Sequence, residues 1–558
     1  MIYFARALGQ RGRHRPKKMR FVAAVALVAL SSYQANRVRA EDALNGQVVK
    51  AFEFAGRQLI ALKENHLQDN TKFIDYTDEE GKWSTVKDNG KNKTQTVWTS
   101  GMVAGMFWYQ FEYSGDVQFK IRAEDTQLGL HGVELLDDND LGFQQTLNSF
   151  GLGYRLVGNE SFKERVLDGA KSLHDFRFDP NIPAYWSWFM PSRRPDWFRA
   201  VNVDMIMNME IMLWAAENGG SEDYKAAVEG HADTTWEDIV RDDYSTFHVA
   251  DYSNTTGELL DRGTYQGWQD NSTWSRGQAW AVYGFTMVHR YLKEPRFLEY
   301  ALNCLKYVED NVSPETKVPY ADYDAPVNEN NTEDSSATAI VASALFEIFD
   351  LTGDPVYLDK AQEYLESLLS PPYFEPDATD GWEAIIRRST SAWGDPSTGS
   401  VTGDYFTLET LASGIRYKTM APSELLRNEA KASVSDSEPR VLFSGSALGD
   451  DDLSLLSGDS GVMIRIGVTL SNTGNIPAEL IVQGGSSTVS VIIAPPTSGW
   501  MEGANTVSFS EAAGTFSTLD TVESVTVVFV AQAPEANTDD VITEATVDHL
   551  VVGHKLVT

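Results

Sequence analysis

The feature that most constrains this chain is a turn that returns in one form. It reads SGDVQFKIRA at 114–123, VGNESFKERV at 157–166, GGSEDYKAAV at 219–228, KEPRFLEYA at 293–301 and GDPVYLDKA at 353–361. In each copy a polar or proline-containing turn is followed by an aromatic, Phe119, Phe162, Tyr224, Phe297 or Tyr357, that opens a new amphipathic helix. Segments such as 277–291 and 337–351 keep apolar residues at helical spacing and end in a turn followed by another helix. The copies lie roughly 45 to 75 residues apart, about two helices with their loops, which favours a closed ring over a short-period solenoid. The spacing therefore predicts an α/α toroid of about six hairpins over residues 42–418, its neighbouring hairpins stapled by the recurring aromatics.

From about residue 425 the composition changes: 13 of the 14 Trp lie before it, no Tyr lies after it, and Ser, Thr, Gly and Val take over. Ile464, Ile466, Val468 and Leu470 alternate with Arg465, Gly467 and Thr469, and Val525, Val527 and Phe529 alternate less cleanly. This pattern predicts a smaller all-β sandwich of about 130 residues, with a boundary between Ala421 and Glu429.

Residues 1–40 hold nine Lys or Arg and no acid, and an apolar run from Phe21 to Leu30 follows the basic stretch. The run is too short to span a bilayer. With Val38 and Ala40 as the small residues a signal peptidase reads, the segment is expected to be a signal peptide cleaved before Glu41, of a secreted protein, with Met19 an alternative start. Six sequons, at Asn92, Asn159, Asn254, Asn271, Asn311 and Asn330, would accept glycans in a eukaryotic host. The formal charge is −34, and −43 without the nine leader cations, a field that repels nucleic-acid phosphate and anionic lipid. The single cysteine, Cys304, excludes an intrachain disulfide and a multi-thiolate zinc site, and reads as a small apolar residue of a helix core.

Two aspartates stand out. Asp204 sits in the otherwise apolar VNVDMIMNMEIMLW, with Asn208 one turn on. Desolvation there would raise its pKa towards proton-donor range, whereas the plainer reading is a helix cap. Asp140, in LLDDNDLGFQQTL, is either a cap or a second functional carboxylate. A calcium loop is disfavoured, because Leu141 and Asn148 occupy positions where such a loop needs ligands. The segment GTYQGWQDNSTWSRGQAW, 263–280, gathers Gln266, Trp268, Trp274, Arg276 and Trp280. Aromatic faces stack on sugar rings, amides read hydroxyls and an Arg fork fits a carboxylate, so the set suits an acidic sugar, unless the Trp are core and Arg276 makes a structural ion pair. Trp98, Trp108, Trp186 and Trp188 could line the same pocket, although each alone is more often core.

The motifs WTSGMVAGMFW, NDLGF, VDMIMNM, HADTT, TFHV, GTYQGWQDNSTWSRGQAWAVYGF, VPYADYDAP, DSSATAIVASALFEI and GDYFTLETL occur in the order seen in glycoside hydrolase family 88, the unsaturated glucuronyl hydrolases. The chain resembles that family over about residues 42–418, and the stretch around WSRGQAW is the most specific part. The resemblance implies an (α/α)6 barrel that uses neither metal nor organic cofactor. It implies that Asp204 is the general acid/base and Asp140 the second essential Asp, and it puts Trp98, Trp188, His248, Gln266, Trp274, Arg276 and Trp280 in the pocket. Asn139 and Tyr265 stand where the family usually has His, and since both can hydrogen-bond, an altered substrate preference is expected. The implied reaction is hydration of the 4,5-double bond of an unsaturated uronic acid at the non-reducing end of lyase-generated oligosaccharides. The related family 105 activity on unsaturated rhamnogalacturonan or ulvan fragments, and a non-catalytic sugar-binding protein, are the alternatives. The C-terminal region faintly resembles the family 6 and family 35 carbohydrate-binding sandwiches, so polysaccharide binding or a spacer role is expected there.

Overall fold

The computed structural model describes residues 44, 46–70, 72–85, 98–187 and 194–418, the side chains of 139, 143–145 and 415–418 excepted, and beyond 418 backbone strands only. The expected leader, the domain boundary, Asn92 and Trp188 lie outside the described residues.

Twelve helices make the ring. They are α1 (residues 46–65), α2 (Ser100–Ser114), α3 (Val117–Gln127) and α4, a π-helix over Gly142–Gly151 that runs on as Leu152–Val157. Next come α5 (Glu160–Arg177), α6 (Met205–Asn208 continued by Glu210–Glu217), α7 (Asp223–Asp238) and α8 (Ser275–Leu292). The last four are α9 (Pro295–Asn311), α10 (Ser335–Thr352), α11 (Pro355–Leu368) and α12 (Val401–Lys418). The even-numbered helices each pack on the next, and α12 packs on α2, so they close an inner ring that the odd-numbered helices surround. Inner helices are buried on nearly every side, as a helix apolar all round must be. From Ser275 to Val288 every residue of α8 is buried, and α10 is apolar enough to cross a bilayer yet lies inside the ring.

The recurring turn has a physical basis. Gly115, Gly158 and Gly353 adopt φ of 68°, 64° and 67°, the left-handed stop that ends an inner helix, and glycine enters it without a Cβ penalty. The next residue, Asp116, Asn159 or Asp354, caps the following outer helix by accepting from the backbone N–H of Gln118, Ser161 or Val356. Of the expected aromatic staples, three join neighbours. Phe119 lies against Gly56 of α1, Phe162 meets Trp108 of α2, and Tyr224 meets His174 of α5 with centroids 5.0 Å apart. Phe297 instead stacks edge-on with Tyr300 of its own helix, and Tyr357 is half-exposed under Lys360.

Every inner-to-outer connection is short, whereas every outer-to-inner connection is a long segment: 66–99, 128–141, 178–204, 239–274, 312–334 and 369–400. All six long segments therefore emerge at one end of the ring, where the six inner helices begin. A three-stranded antiparallel sheet at this end joins Ala200–Asn202, Val249–Tyr252 and Leu259–Gly263. Cys304 is buried in α9, as its composition suggested.

Beyond the ring, the expected alternation at 464–470 and 525–529 falls on the strands Val462–Leu470 and Ser524–Phe529. Val462–Leu470 pairs antiparallel with Gly503–Glu511 and with Glu544–His554, and Ala478–Gly484 pairs with Ser487–Ile493 and with Ser524–Phe529. With two short edge strands these make two four-stranded sheets.

Candidate active site

The residues singled out in the sequence gather where the inner helices begin. Asp204 lies between the strand Ala200–Asn202 and the first turn of α6, in the cap position, but its side chain caps nothing. Its Oδ2 instead accepts from Asn202 Nδ2 at 2.9 Å and lies 3.3 Å from His248 Nε2. Ser187 Oγ donates to Asn202 Oδ1 and accepts from Asn202 N at 3.2 Å, which fixes the orientation of the amide. The backbone N–H groups of Tyr265 and Gln266 both point at His248 Nδ1, at 3.2 and 3.3 Å. Nδ1 is therefore an acceptor, and the ring proton sits on Nε2, facing Asp204. Asn202 and His248 are buried while the Asp204 side chain is 16% exposed, so of the three the carboxylate alone reaches solvent.

Asp140 occupies a 3-10 turn, Asn139–Leu141, at the entrance to α4. The capping role belongs to Asp138, whose Oδ1 accepts from Asp140 N at 3.0 Å. Desolvation pushes the Asp140 carboxyl well above the usual carboxylate range, the charges of Asp138 and Asp204 push the same way, and Arg177 opposes them. Gly142 completes the junction: a Cβ there would lie 2.6 Å from the Asn208 carbonyl oxygen, so the two helix starts meet backbone to side chain. Asn208 itself is 1% exposed against Gly142, which makes it part of this packing and not a cleft-lining group.

Arg276, expected to present an open fork, is a buried charge behind the cleft. Its guanidinium donates to the carbonyls of Thr390 (2.6 Å) and Ser391 (3.1 Å) and to Tyr76 Oη (3.3 Å), and lies 3.5 Å from Asp334 Oδ2. Trp274 covers one side, with the guanidinium carbon 4.7 Å from its ring, and the Trp274 ring also packs on His248 with centroids 4.7 Å apart. Trp98 is half-buried at the start of α2, and it and Thr99 donate to Asp75, whose burial pushes its carboxyl up to about 7. Gln266 bonds the Ser391 carbonyl through Nε2, and Tyr265 is half-exposed at the cleft. The segment 263–280 is held in turn by Asp322, whose Oδ2 accepts from Trp268 N and Ser272 Oγ.

Two tryptophans depart from expectation. Trp280 is fully buried between Tyr283 and Phe406, one turn too deep along α8 to meet a ligand, and Trp108 is fully buried with its Nε1 donating to Gln127. Asn139 is described by its backbone alone. Sequence reasoning missed Asn202, Ser187, Asp75, Tyr76, Asp334 and Arg177. Asn202, two residues from Asp204 in a strand that feeds it, carried a readable signal, because the alternation in VNVD puts both on one face.

Comparison with known proteins agrees with this geometry. The model of Glycosyl Hydrolase Family 88 matches residues 163–407, a span that holds Asp204, His248 and Arg276 and begins after Asp140. The unsaturated glucuronyl hydrolase of Formosa agariphila is 35% identical over 320 residues, 56% of this chain and 79% of that protein. Among solved structures, an unsaturated glucuronyl hydrolase specific for heparin superposes with TM-score 0.60 at 28% identity, over 66% of this chain and 97% of that one. A variant enzyme carrying dGlcA-Glc-Rha-Glc superposes with TM-score 0.57 at 29% identity, over 65% and 95%. Likeness of this extent makes the chain a glycoside hydrolase and a member of glycosyl hydrolase family 88.

Proposed function

We propose that the protein hydrates the 4,5-double bond of an unsaturated uronic acid at the non-reducing end of an oligosaccharide and so releases the neighbouring sugar. The observation that carries this reading is the pair Asp204 and Asp140: one carboxyl oriented by Asn202 and His248 through a single oxygen, the other desolvated beside it. Asn202 and His248 both approach Asp204 Oδ2, which leaves Oδ1 as the oxygen for proton transfer in this reading. In the protonated enzyme Asp204 gives its proton to C4, and the double-bond electrons form the new C4–H bond. Positive charge develops at C5 and is shared by the ring oxygen. Water adds at C5 and returns a proton to Asp204, which restores the acid. The hemiketal opens at the bond between C5 and the ring oxygen, giving a ketone at C5 and a hemiacetal at C1, and the hemiacetal expels the neighbouring sugar as an alcohol. One water is consumed, and the step draws on one carboxyl, unlike two-carboxylate glycoside hydrolysis. Asp140 hydrogen-bonds the sugar hydroxyls, and Trp98, Tyr265 and Gln266 border the ring. Names of the relatives and the dGlcA-Glc-Rha-Glc named with one solved structure support the substrate class.

Residues 1–40 act as a secretion signal in this reading, and the exposed positions of Asn159, Asn254, Asn271, Asn311 and Asn330 would leave those sequons open to glycans. The two C-terminal sheets form a sandwich that binds polysaccharide or spaces the ring from it. The test is incubation of the purified protein with unsaturated disaccharides from chondroitin, hyaluronan, heparin, gellan, ulvan and rhamnogalacturonan, following loss of the ultraviolet absorbance of the conjugated double bond. Loss with the wild type and not with Asp204→Asn is expected. Undiminished absorbance on every substrate would refute the reading.

A further inference from the structure

Arg177 ends α5, on the outer layer, and is 9% exposed, with both terminal guanidinium nitrogens engaged. One guanidinium nitrogen donates to the Ser187 carbonyl at 2.9 Å. The other donates to the Asp137 carbonyl at 2.9 Å and pairs with Asp137 Oδ1 at 3.0 Å. Its main-chain oxygen accepts from Trp186 N at 2.9 Å, and the guanidinium lies 4.2 Å from the centre of the Trp186 ring. Arg199 lies 4.4 Å from the same ring and pairs with Asp179.

These partners are not scattered. Asp137 stands three residues before Asp140, in the segment 128–141. Ser187 is the group that orients Asn202, which orients Asp204, at the end of 178–204. We propose that Arg177 is a positioning residue that clamps these two segments together and sets the separation of Asp140 and Asp204. A planar guanidinium can hold two carbonyls and a carboxylate at once, and no other side chain offers that fork. The clamp also keeps a positive charge near the acidic group of Asp137, Asp138, Asp140 and Asp204, with Arg199 and Asp179 the other charges close by.

The inference rests on Asp140 and Asp204 acting as a pair, and its test separates the two ideas. In Arg177→Lys the charge is kept and the fork is lost. Hydrogen–deuterium exchange, read without substrate, should speed up in peptides from both 128–141 and 178–204. Unchanged exchange, or a change in one segment only, overturns the clamp whatever the enzyme's substrate proves to be. On an unsaturated disaccharide that the wild type consumes, Arg177→Lys should lower kcat by tenfold or more, on the scale of about 10²-fold per ångström of misplacement, with KM changed far less. Its pH–rate profile should keep the wild-type limbs. In Arg177→Gln the charge is lost as well, and the limb that reports Asp140 should move to higher pH. Wild-type kcat in Arg177→Lys, or identical profiles for the Lys and Gln variants, would refute the assignment.

Discussion

The junction at Gly142 offers the sharpest test of how closely the two carboxylates are held. In Gly142→Ala the new Cβ would stand 2.6 Å from the Asn208 carbonyl oxygen, 2.7 Å from Asn208 Oδ1 and 2.9 Å from Asn208 Cβ. The nearest atom belongs to the backbone of α6, so no rotamer relieves the contact. To reach ordinary van der Waals separation, the starts of α4 and α6 must part by roughly 0.8 Å. Asp140 lies two residues before this contact and Asp204 four residues before Asn208, so the parting passes to the pair almost undiminished. Overpacking of this kind costs about 1 to 3 kcal/mol, which for a ring of this size lowers the melting temperature by a few degrees. A shift of this size should lower kcat/KM by roughly 10- to 100-fold. The assay is paired: thermal unfolding, and loss of the double-bond absorbance on an unsaturated disaccharide. Gly46→Ala is the control, since it lies in α1 with nothing near its Cβ and should gain about 0.5 to 1 kcal/mol. A Gly142→Ala protein with wild-type kcat/KM would refute the argument even if it melted earlier, because it would show that the spacing of the two helix starts does not govern the chemistry.

Asn202→Ala removes a 2.9 Å hydrogen bond to a charged acceptor, a contact worth about 1.5 to 3 kcal/mol, and should cut kcat/KM by roughly 10- to 100-fold while the fold persists; equal activity would show that Asp204 needs no such support. Stability should fall as pH rises from 5 to 9. Burial pushes Asp75 and Glu347 up to about 7 and Asp404 up to about 8, so each carboxyl binds its proton more tightly folded than unfolded. Their contribution is complete below the unfolded values near 3.8 to 4.5 and is lost as pH climbs through 7 and 8. A melting temperature that rises across that window would contradict the assignment. Asp404→Ala strands the backbone N–H groups of Ile385 and Ile386, which now bond its buried carboxyl at 2.9 to 3.0 Å, and should cost about 2 to 5 kcal/mol by denaturant titration; a loss within about 0.5 kcal/mol would show that water reaches these groups.

What the sequence disclosed, it disclosed through short-range chemistry. A left-handed glycine followed by Asp or Asn is a local event, so the ends of α2, α4 and α10 could be read from three Gly–Asx pairs, and with them the hairpin repeat. The aspartates were visible because a carboxylate in an apolar stretch is anomalous wherever it lies. Relations between segments far apart in the chain were not visible. Arg276 looked like an open fork because its captors, the carbonyls of Thr390 and Ser391, lie more than a hundred residues away. Trp280 shares a helical face with Arg276 in projection, but one turn of α8 carries it from the cleft into the core between Tyr283 and Phe406. The raised carboxyl of Asp140 was hidden for the same reason. Asp204's surroundings in sequence are apolar, but in space Asn202 and His248 supply it with donors, while Asp140 meets two other acids.

The topology also resolves a conflict in the charge balance. A chain of formal charge −34 should repel an anionic sugar, yet the proposed ligand carries a carboxylate. Surface charges are screened over about 8 Å at physiological ionic strength, so most of the 80 acidic side chains act weakly at the cleft. Groups at the cleft are not screened in this way. All six inner helices point their N-termini towards it, each carrying a partial positive charge of about half a unit that acts within the first turn. Behind them Arg276, buried at 1% exposure and held against Trp274, adds a charge that Asp334 at 3.5 Å offsets in part. Asp138, Asp140 and Asp204 add acidic charge that helps lift the Asp140 carboxyl. In the proposed reaction the helix N-termini and Arg276 therefore favour the carboxylate of the sugar against the repulsion of the aspartates.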